Sequence, residues 1–178
     1  MKSICVFCGS SPGDRPGYLQ LARELGGLLA RRNLTVVYGG GRVGLMGALA
    51  DAALKESGRV IGVIPQLLID KEVGHPGLSE LHIVRTMAER KLKMGDLADA
   101  FLTLPGGIGT MDELFEAWTW TQLDLHRKPC GLLNYQGFYD PLIAFIDHAV
   151  EEGFLRPRHR AALIVDSDMT RLLQRLQD

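Results

Sequence analysis

Residues 100–113 read Ala-Phe-Leu-Thr-Leu-Pro-Gly-Gly-Ile-Gly-Thr-Met-Asp-Glu. An apolar run breaks at Pro105 into a glycine-rich turn and then into helix-forming sequence. The spacing predicts a strand over 100–104 and a helix over 111–125. Gly106, Gly107 and Gly109 leave room for a ligand against the backbone. A helix that follows such a turn aims its first N–H groups at an anion. A capping box is the competing reading, with Thr110 as N-cap and Glu113 three residues on. Asp112 would then complement the helix dipole. Neither alternative accounts for three glycines in four positions. No Gly-Lys-Ser/Thr follows, so this is not a Walker loop.

The same strand-then-helix pattern runs outward in both directions. Strand-like segments occur at 4–7, 34–38, 60–64, 81–84, 130–133 and 163–165. Helical periodicity occurs at 18–32, 45–57, 87–97 and 141–151, and from 169 onward. Residues 66–79 read as irregular. The strands are continuously apolar, as expected where both sheet faces are covered. Such alternation predicts an α/β fold, a doubly wound parallel sheet of about seven strands with helices on both faces. No repeat or linker interrupts it, so residues 1–178 are read as one domain. Ligands of such sheets bind outside the carboxyl ends of the strands.

Two more glycine turns fall at such ends. Gly9-Ser10-Ser11-Pro12-Gly13 matches the hydrolase elbow G-x-S-x-G formally. That reading fails because Pro12 has no N–H to serve an oxyanion hole. Ser10 and Ser11 are better read as phosphate or ribose hydrogen-bond donors, with Gly9 beside them as a phosphate contact, or else as plain turn residues. The other turn contains G-x-G-x-x-G through Gly39, Gly41 and Gly44. A dinucleotide fingerprint would follow the first strand and place an acid at the end of the next. Here the motif follows the second strand, and the next ends Ile64-Pro65-Gln66, which argues against NAD. Gly40, Gly41 and Gly44 remain candidates for close backbone approach to an anion.

Composition narrows the classes further. The chain has 178 residues, is 46% hydrophobic and carries a formal net charge of -1. That gives no global electrostatic case for nucleic acid or an anionic membrane. No apolar run approaches the ~20 residues that span a bilayer. The N-terminus runs into a strand without a secretory pattern, so a cytoplasmic location is expected. Cys5 and Cys8 have CxxC spacing, but an extended strand holds them about 10 Å apart, beyond the ~7 Å of a disulfide. They are expected to be buried small hydrophobes. No Cys/His spacing suggests zinc. Trp118 and Trp120 read as core or dimer contacts.

Arg90 and Lys91 follow the fourth strand by one or two helical turns. Either they reach an anion at the sheet edge, or they project from an exposed helix face. With these residues in view, the chain resembles the LOG (Lonely guy) family of cytokinin riboside 5′-monophosphate phosphoribohydrolases. That family has long carried the label of possible lysine decarboxylases. The matching pieces are residues 6–11 (Val-Phe-Cys-Gly-Ser-Ser) and Tyr38-Gly39-Gly40-Gly41 with Gly44-Leu45-Met46-Gly47. Glu89-Arg90-Lys91 and 105–113, as PGGxGTxxE, complete the set.

The resemblance implies a Rossmann-like homodimer, or an assembly of dimers, that needs no cofactor or metal. It implies hydrolysis of the N-glycosidic bond of purine nucleoside 5′-monophosphates, N6-modified adenine nucleotides above all. Arg90 matches the family's catalytic arginine, with Lys91 beside it. Gly106, Gly107, Ile108, Gly109 and Thr110 match its phosphate-binding loop, and Glu113 its terminal glutamate. Asp112 stands where the family often has glutamate, which leaves open which acid acts. Glu72 and Thr119 align with substrate contacts. The competing readings are a broad AMP nucleosidase, a non-catalytic nucleotide-binding module, a pyridoxal-dependent decarboxylase, which would need a Schiff-base lysine, and an interaction protein.

Overall fold

The computed structural model describes residues 1–69 and 74–178. Seven described strands form one parallel sheet: β1 (Ser3–Phe7), β2 (Thr35–Tyr38), β3 (Val60–Pro65), β4 (Glu80–Val84), β5 (Ala100–Thr103), β6 (Cys130–Leu133) and β7 (Leu163–Asp166). Their order is β4-β3-β2-β1-β5-β6-β7. The chain builds outward from β1 to β4, then returns to β1's other side with β5. The topological switch point, where such folds hold ligands, therefore lies between β1 and β5. There Phe7 pairs with Thr103. Past the strands, the Gly9 N–H donates to the Pro105 carbonyl at 3.2 Å.

Alternation along the strands divides the core in two. Ile4, Val6, Val36 and Leu102 pack against α1 (Pro16–Arg31), α2 (Gly44–Lys55) and α8 (Met169–Arg175). Cys5, Phe7, Val37 and Phe101 pack on the other face. Their partners come from α4 (Met87–Leu97), α5 (Ile108–Gln122) and α6 (Asp140–Glu151). Helices thus cover both faces, as predicted. Cys5 and Cys8 fall in cores on opposite faces. All three cysteines are free and buried, and burial pushes the Cys130 thiol up to about 11. No helix among the described residues is long and apolar enough to cross a membrane.

Three elements differ from the sequence reading. The helix predicted over 111–125 spans Ile108–Gln122, one turn earlier. A turn of helix, α3 (Gln66–Leu68), lies in the segment read as irregular. A further helix, α7 (Pro157–Ala161), opens on a proline at its first position. Five residues carry too little periodicity for that helix to be recognised.

At the end of β7 the buried Asp166 carboxylate receives both Arg171 Nε and Nη2 at 2.6 Å, and Arg175 Nη1 at 3.3 Å. Arg171 first, then the Asp168 N–H and Arg175, hold its pKa far below the usual carboxylate range. A depressed folded pKa stabilises the fold above the unfolded value of ~3.9 and loses that stability below it. Thermal midpoints should therefore fall as pH drops below about 4. In Asp166→Asn that acid-dependent component should be missing. An unchanged pH slope in the variant would contradict this.

Candidate active site

A cavity of about 290 Å³ opens at the switch point. Its walls come from the β1 loop (Cys8, Gly9, Ser10), from Gly39 after β2, and from Met87 and Arg90 on α4. The N-terminal turns of α5 supply Gly107, Ile108, Gly109, Thr110, Asp112 and Glu113. Most of the residues singled out in the sequence meet here. A second cavity, about 280 Å³, adjoins it through Gly9, Ser10 and Gly107, and is walled by Gly106, Tyr18, Leu45 and Phe138.

The start of α5 decides how the PGGxGT turn is used. Gly107 is the N-cap, without a side-chain cap bond. Thr110 is therefore inside the helix, and the capping-box reading of Thr110 and Glu113 is overturned. Met111 N–H closes the first turn on the Gly107 carbonyl at 3.1 Å. Helix geometry leaves the N–H groups of Ile108, Gly109 and Thr110 without intrahelical partners. They present the positive end of α5 at the cavity. Glu113 lines the same cavity about one and a half turns further on.

The glycines divide into two kinds. A Cβ on Gly107 or Gly109 would meet no atom within 4 Å, so these two border open space. Gly106 instead makes room for the Thr110 hydroxyl, which a Cβ would approach to 2.1 Å. In the second turn, Gly44 sits at φ +60° with a Cβ position 2.3 Å from the Ser10 carbonyl group. Gly40 sits at φ +75° against Ile64 and Leu81, and Gly41 bridges Gly74. Gly40, Gly41 and Gly44 are not among the residues that line the cavity; at Gly40 and Gly44 the side-chain position is filled by protein. Gly109→Ala should accordingly stabilise the helix by ~0.5–1 kcal/mol. It should also raise the KM for a phosphorylated ligand about tenfold, or ~1.4 kcal/mol of binding. A melt and a saturation curve check both signs, and an unchanged KM would contradict the phosphate assignment.

Arg90 is 5% exposed. Its Nε donates to the Val63 carbonyl at 3.1 Å and Nη2 to the Gly39 carbonyl at 2.7 Å. The exposed-helix-face alternative is thereby excluded. Gly39, read in the sequence only as part of the glycine motif, has a role there that the motif did not show. Its carbonyl orients Arg90, and a Cβ there would lie 2.0 Å from Nη2. A backbone acceptor leaves no side-chain signature. The buried Cys8 thiol is pushed up by burial first, then by the Glu113 charge, and drawn down by Arg90. Both charges therefore act on the same wall. Cys8 itself stays a thiol and is no nucleophile.

Lys91 is not among the lining residues, although it is paired with Asp112, which is. Its Nζ contacts Asp112 Oδ2 at 3.1 Å and Glu116 Oε2 at 2.9 Å, tying α4 to α5. Burial opposes its charge, but the bonds to Glu116 and Asp112 hold its pKa above the ordinary lysine value. Two of the three ammonium N–H groups are thus used by carboxylates, and the pair braces α4 against α5. Thr119 also lies off the cavity. It is exposed on α5, in a groove with Phe115, Phe145 and Leu155. Glu72 lies outside the described residues. Trp118 is a core residue, its indole N–H donating to the His159 carbonyl at 2.8 Å.

Among the described residues, no group of three His, Cys, Asp or Glu side chains is placed to hold a metal ion. Pyridoxal chemistry needs a lysine amine within the cavity. None of the described lining residues is a lysine, and Lys91 is held by two carboxylates. These residues do not fit that cofactor.

Comparison with known proteins places this geometry among relatives. A family model described as "Possible lysine decarboxylase" matches residues 46–176. A cytokinin riboside 5′-monophosphate phosphoribohydrolase of Rhodococcoides fascians is 52% identical over 94% of this chain and 85% of its own length. The Arabidopsis thaliana enzyme of the same name, LOG1, is 46% identical over 99% of this chain and 83% of its own. Among solved structures, the molybdenum cofactor carrier protein of Chlamydomonas reinhardtii superposes with a TM-score of 0.72 at 18% identity, covering 99% of this chain and 98% of that one. The molybdenum cofactor binding protein of Rippkaea orientalis gives 0.73 at 21%, covering 99% and 96%. At such identities these two share the fold alone.

Proposed function

Because the chain belongs to the LOG family, we propose that it hydrolyses the N-glycosidic bond of N6-modified adenine nucleoside 5′-monophosphates, releasing free base and ribose 5-phosphate. The observation that carries this reading is one cavity lined by open glycines at the start of α5 and, on the same helix, by the Glu113 carboxylate. The 5′-phosphate binds the N–H groups of Ile108, Gly109 and Thr110. That anchors the sugar with binding energy remote from the reacting bond.

The chemistry follows from charge. As the bond from C1′ to the base nitrogen lengthens, positive charge builds on the ribose. Glu113 stabilises that charge and takes a proton from the attacking water. A C1′–O bond forms with the water oxygen, and the departing base acquires a proton. Arg90 is a buried positive charge fixed by two carbonyls, and it offsets the negative charge of the phosphate and of the leaving base. Asp112, 56% exposed and paired with Lys91, braces α5 instead of doing chemistry. The kcat/KM for a monophosphate should exceed that for its nucleoside by about 100-fold or more, the ~2.7 kcal/mol expected of two charge-assisted bonds. Equal rates would overturn the anchoring role of α5.

The working unit is a homodimer. Its support is a set of exposed apolar side chains: Leu92 on α4, Leu123 and Leu125 just past α5, and Phe145 on α6. Thr119 shares a groove with Phe145. Light scattering after gel filtration should give twice the mass of one chain. A monomer at micromolar concentration would contradict this.

A further inference from the structure

His75 is buried, yet it does not line the cavity. Both of its ring nitrogens are used. Nδ1 accepts the Gly77 N–H at 3.2 Å, so Nε2 carries the proton and donates it to Asp51 Oδ1 at 2.9 Å. Its backbone is fixed as well. The His75 N–H donates to the Gly40 carbonyl at 3.0 Å, and Gly74 bridges Gly41. The strap of residues 74–77 is thus clamped to the turn after β2, with Asp51 on α2 holding the clamp from outside.

That turn is the one that orients Arg90. Gly39 gives its carbonyl to Nη2. Gly40 lies flat on β3, where a Cβ would sit 3.2 Å from Ile64 and 3.4 Å from the Val63 nitrogen. Val63 supplies the second carbonyl that Arg90 uses. A turn free to lift from β3 would separate the two acceptors and release the guanidinium. We infer that Asp51 and His75 are a positioning pair for Arg90, acting through the 39–41 turn without touching substrate.

The pair's contribution to folding should be small. The Asp51 side chain is 72% exposed, and a bond to so exposed a carboxylate adds little to folding. Its effect belongs in the placement of Arg90. The kinetic consequence rests on the phosphoribohydrolase reading, whereas the structural consequence does not.

The test pairs kinetics with a direct view of Arg90. Base release from N6-isopentenyl-AMP is measured for the wild type, Asp51→Ala, Asp51→Asn and the neighbouring exposed-helix control Lys55→Ala. Asp51→Ala should lower kcat about tenfold with KM within about twofold, as expected when an interaction of the transition state is misplaced. Asp51→Asn, whose amide oxygen still accepts from Nε2, should restore most of the rate. Lys55→Ala should match the wild type. In parallel, the NMR resonance of the Arg90 Nε–H, assigned by its loss in Arg90→Lys, is followed by hydrogen exchange. It should exchange at least about tenfold faster in Asp51→Ala, with melting temperature nearly unchanged. Wild-type kcat and unchanged Arg90 exchange in Asp51→Ala would overturn the proposal. If the wild type releases no base, the phosphoribohydrolase reading falls, and the exchange rate alone decides for or against the pair.

Discussion

Glu113→Gln is expected to lower kcat by about 10³-fold while leaving the KM for the nucleotide within a few-fold, within the 10²–10⁴ that a positioned general base supplies. Glutamine keeps the size and a carbonyl dipole, but it carries no charge and cannot take a proton from water. Phosphate binding should survive, because it uses backbone N–H groups of α5 and not this side chain. Asp112→Asn is the informative contrast. Asp112 lines the same cavity but is tied to Lys91 at 3.1 Å, so its loss should cost no more than about fivefold, the scale of an exposed ion pair. Steady-state kinetics on both variants would decide between the carboxylates. A larger loss in Asp112→Asn would reverse the assignment.

Arg90→Ala should reduce kcat/KM by about 100-fold or more, a loss typical of a buried group aimed at developing charge. It should also destabilise the protein, because the Gly39 and Val63 carbonyls lose their donors, at about 1–3 kcal/mol for each buried acceptor left unsatisfied. Arg90→Lys separates the two effects. Lysine keeps the charge but cannot reach both carbonyls with one planar fork. It should recover part of the stability and little of the rate. Denaturation curves run beside the kinetics check this. A fully active Arg90→Lys would show that charge alone suffices and that the orientation by Gly39 and Val63 is immaterial.

Much of this arrangement was legible from strand-and-turn grammar. Continuous apolar strands between helical segments required a parallel sheet, and glycine turns at strand ends required a site at its carboxyl edge. The limit came from what glycine means. Gly44 and Gly107 look alike in a sequence. One is empty because Ser10 fills its side-chain position, the other because nothing does. Helix starts were equally ambiguous. Thr110 and Glu113 satisfy a capping pattern, yet α5 begins at Ile108, and that shift turns Glu113 from a cap into a cavity residue. Arg90 was recognised, but its acceptors are backbone carbonyls on β3 and after β2, contacts without any residue signature. Lys91 shows the converse. Its charge suggested phosphate, and only the proximity of Glu116 and Asp112 in space revealed a brace.

The most direct measurement is product analysis after incubation with N6-isopentenyl-AMP, with the matching nucleoside and free lysine as separate reactions. The account predicts free base and ribose 5-phosphate in equal amounts from the monophosphate, little base from the nucleoside, and no carbon dioxide from lysine. Nucleotide that binds but is recovered intact, or decarboxylation of lysine, would contradict it.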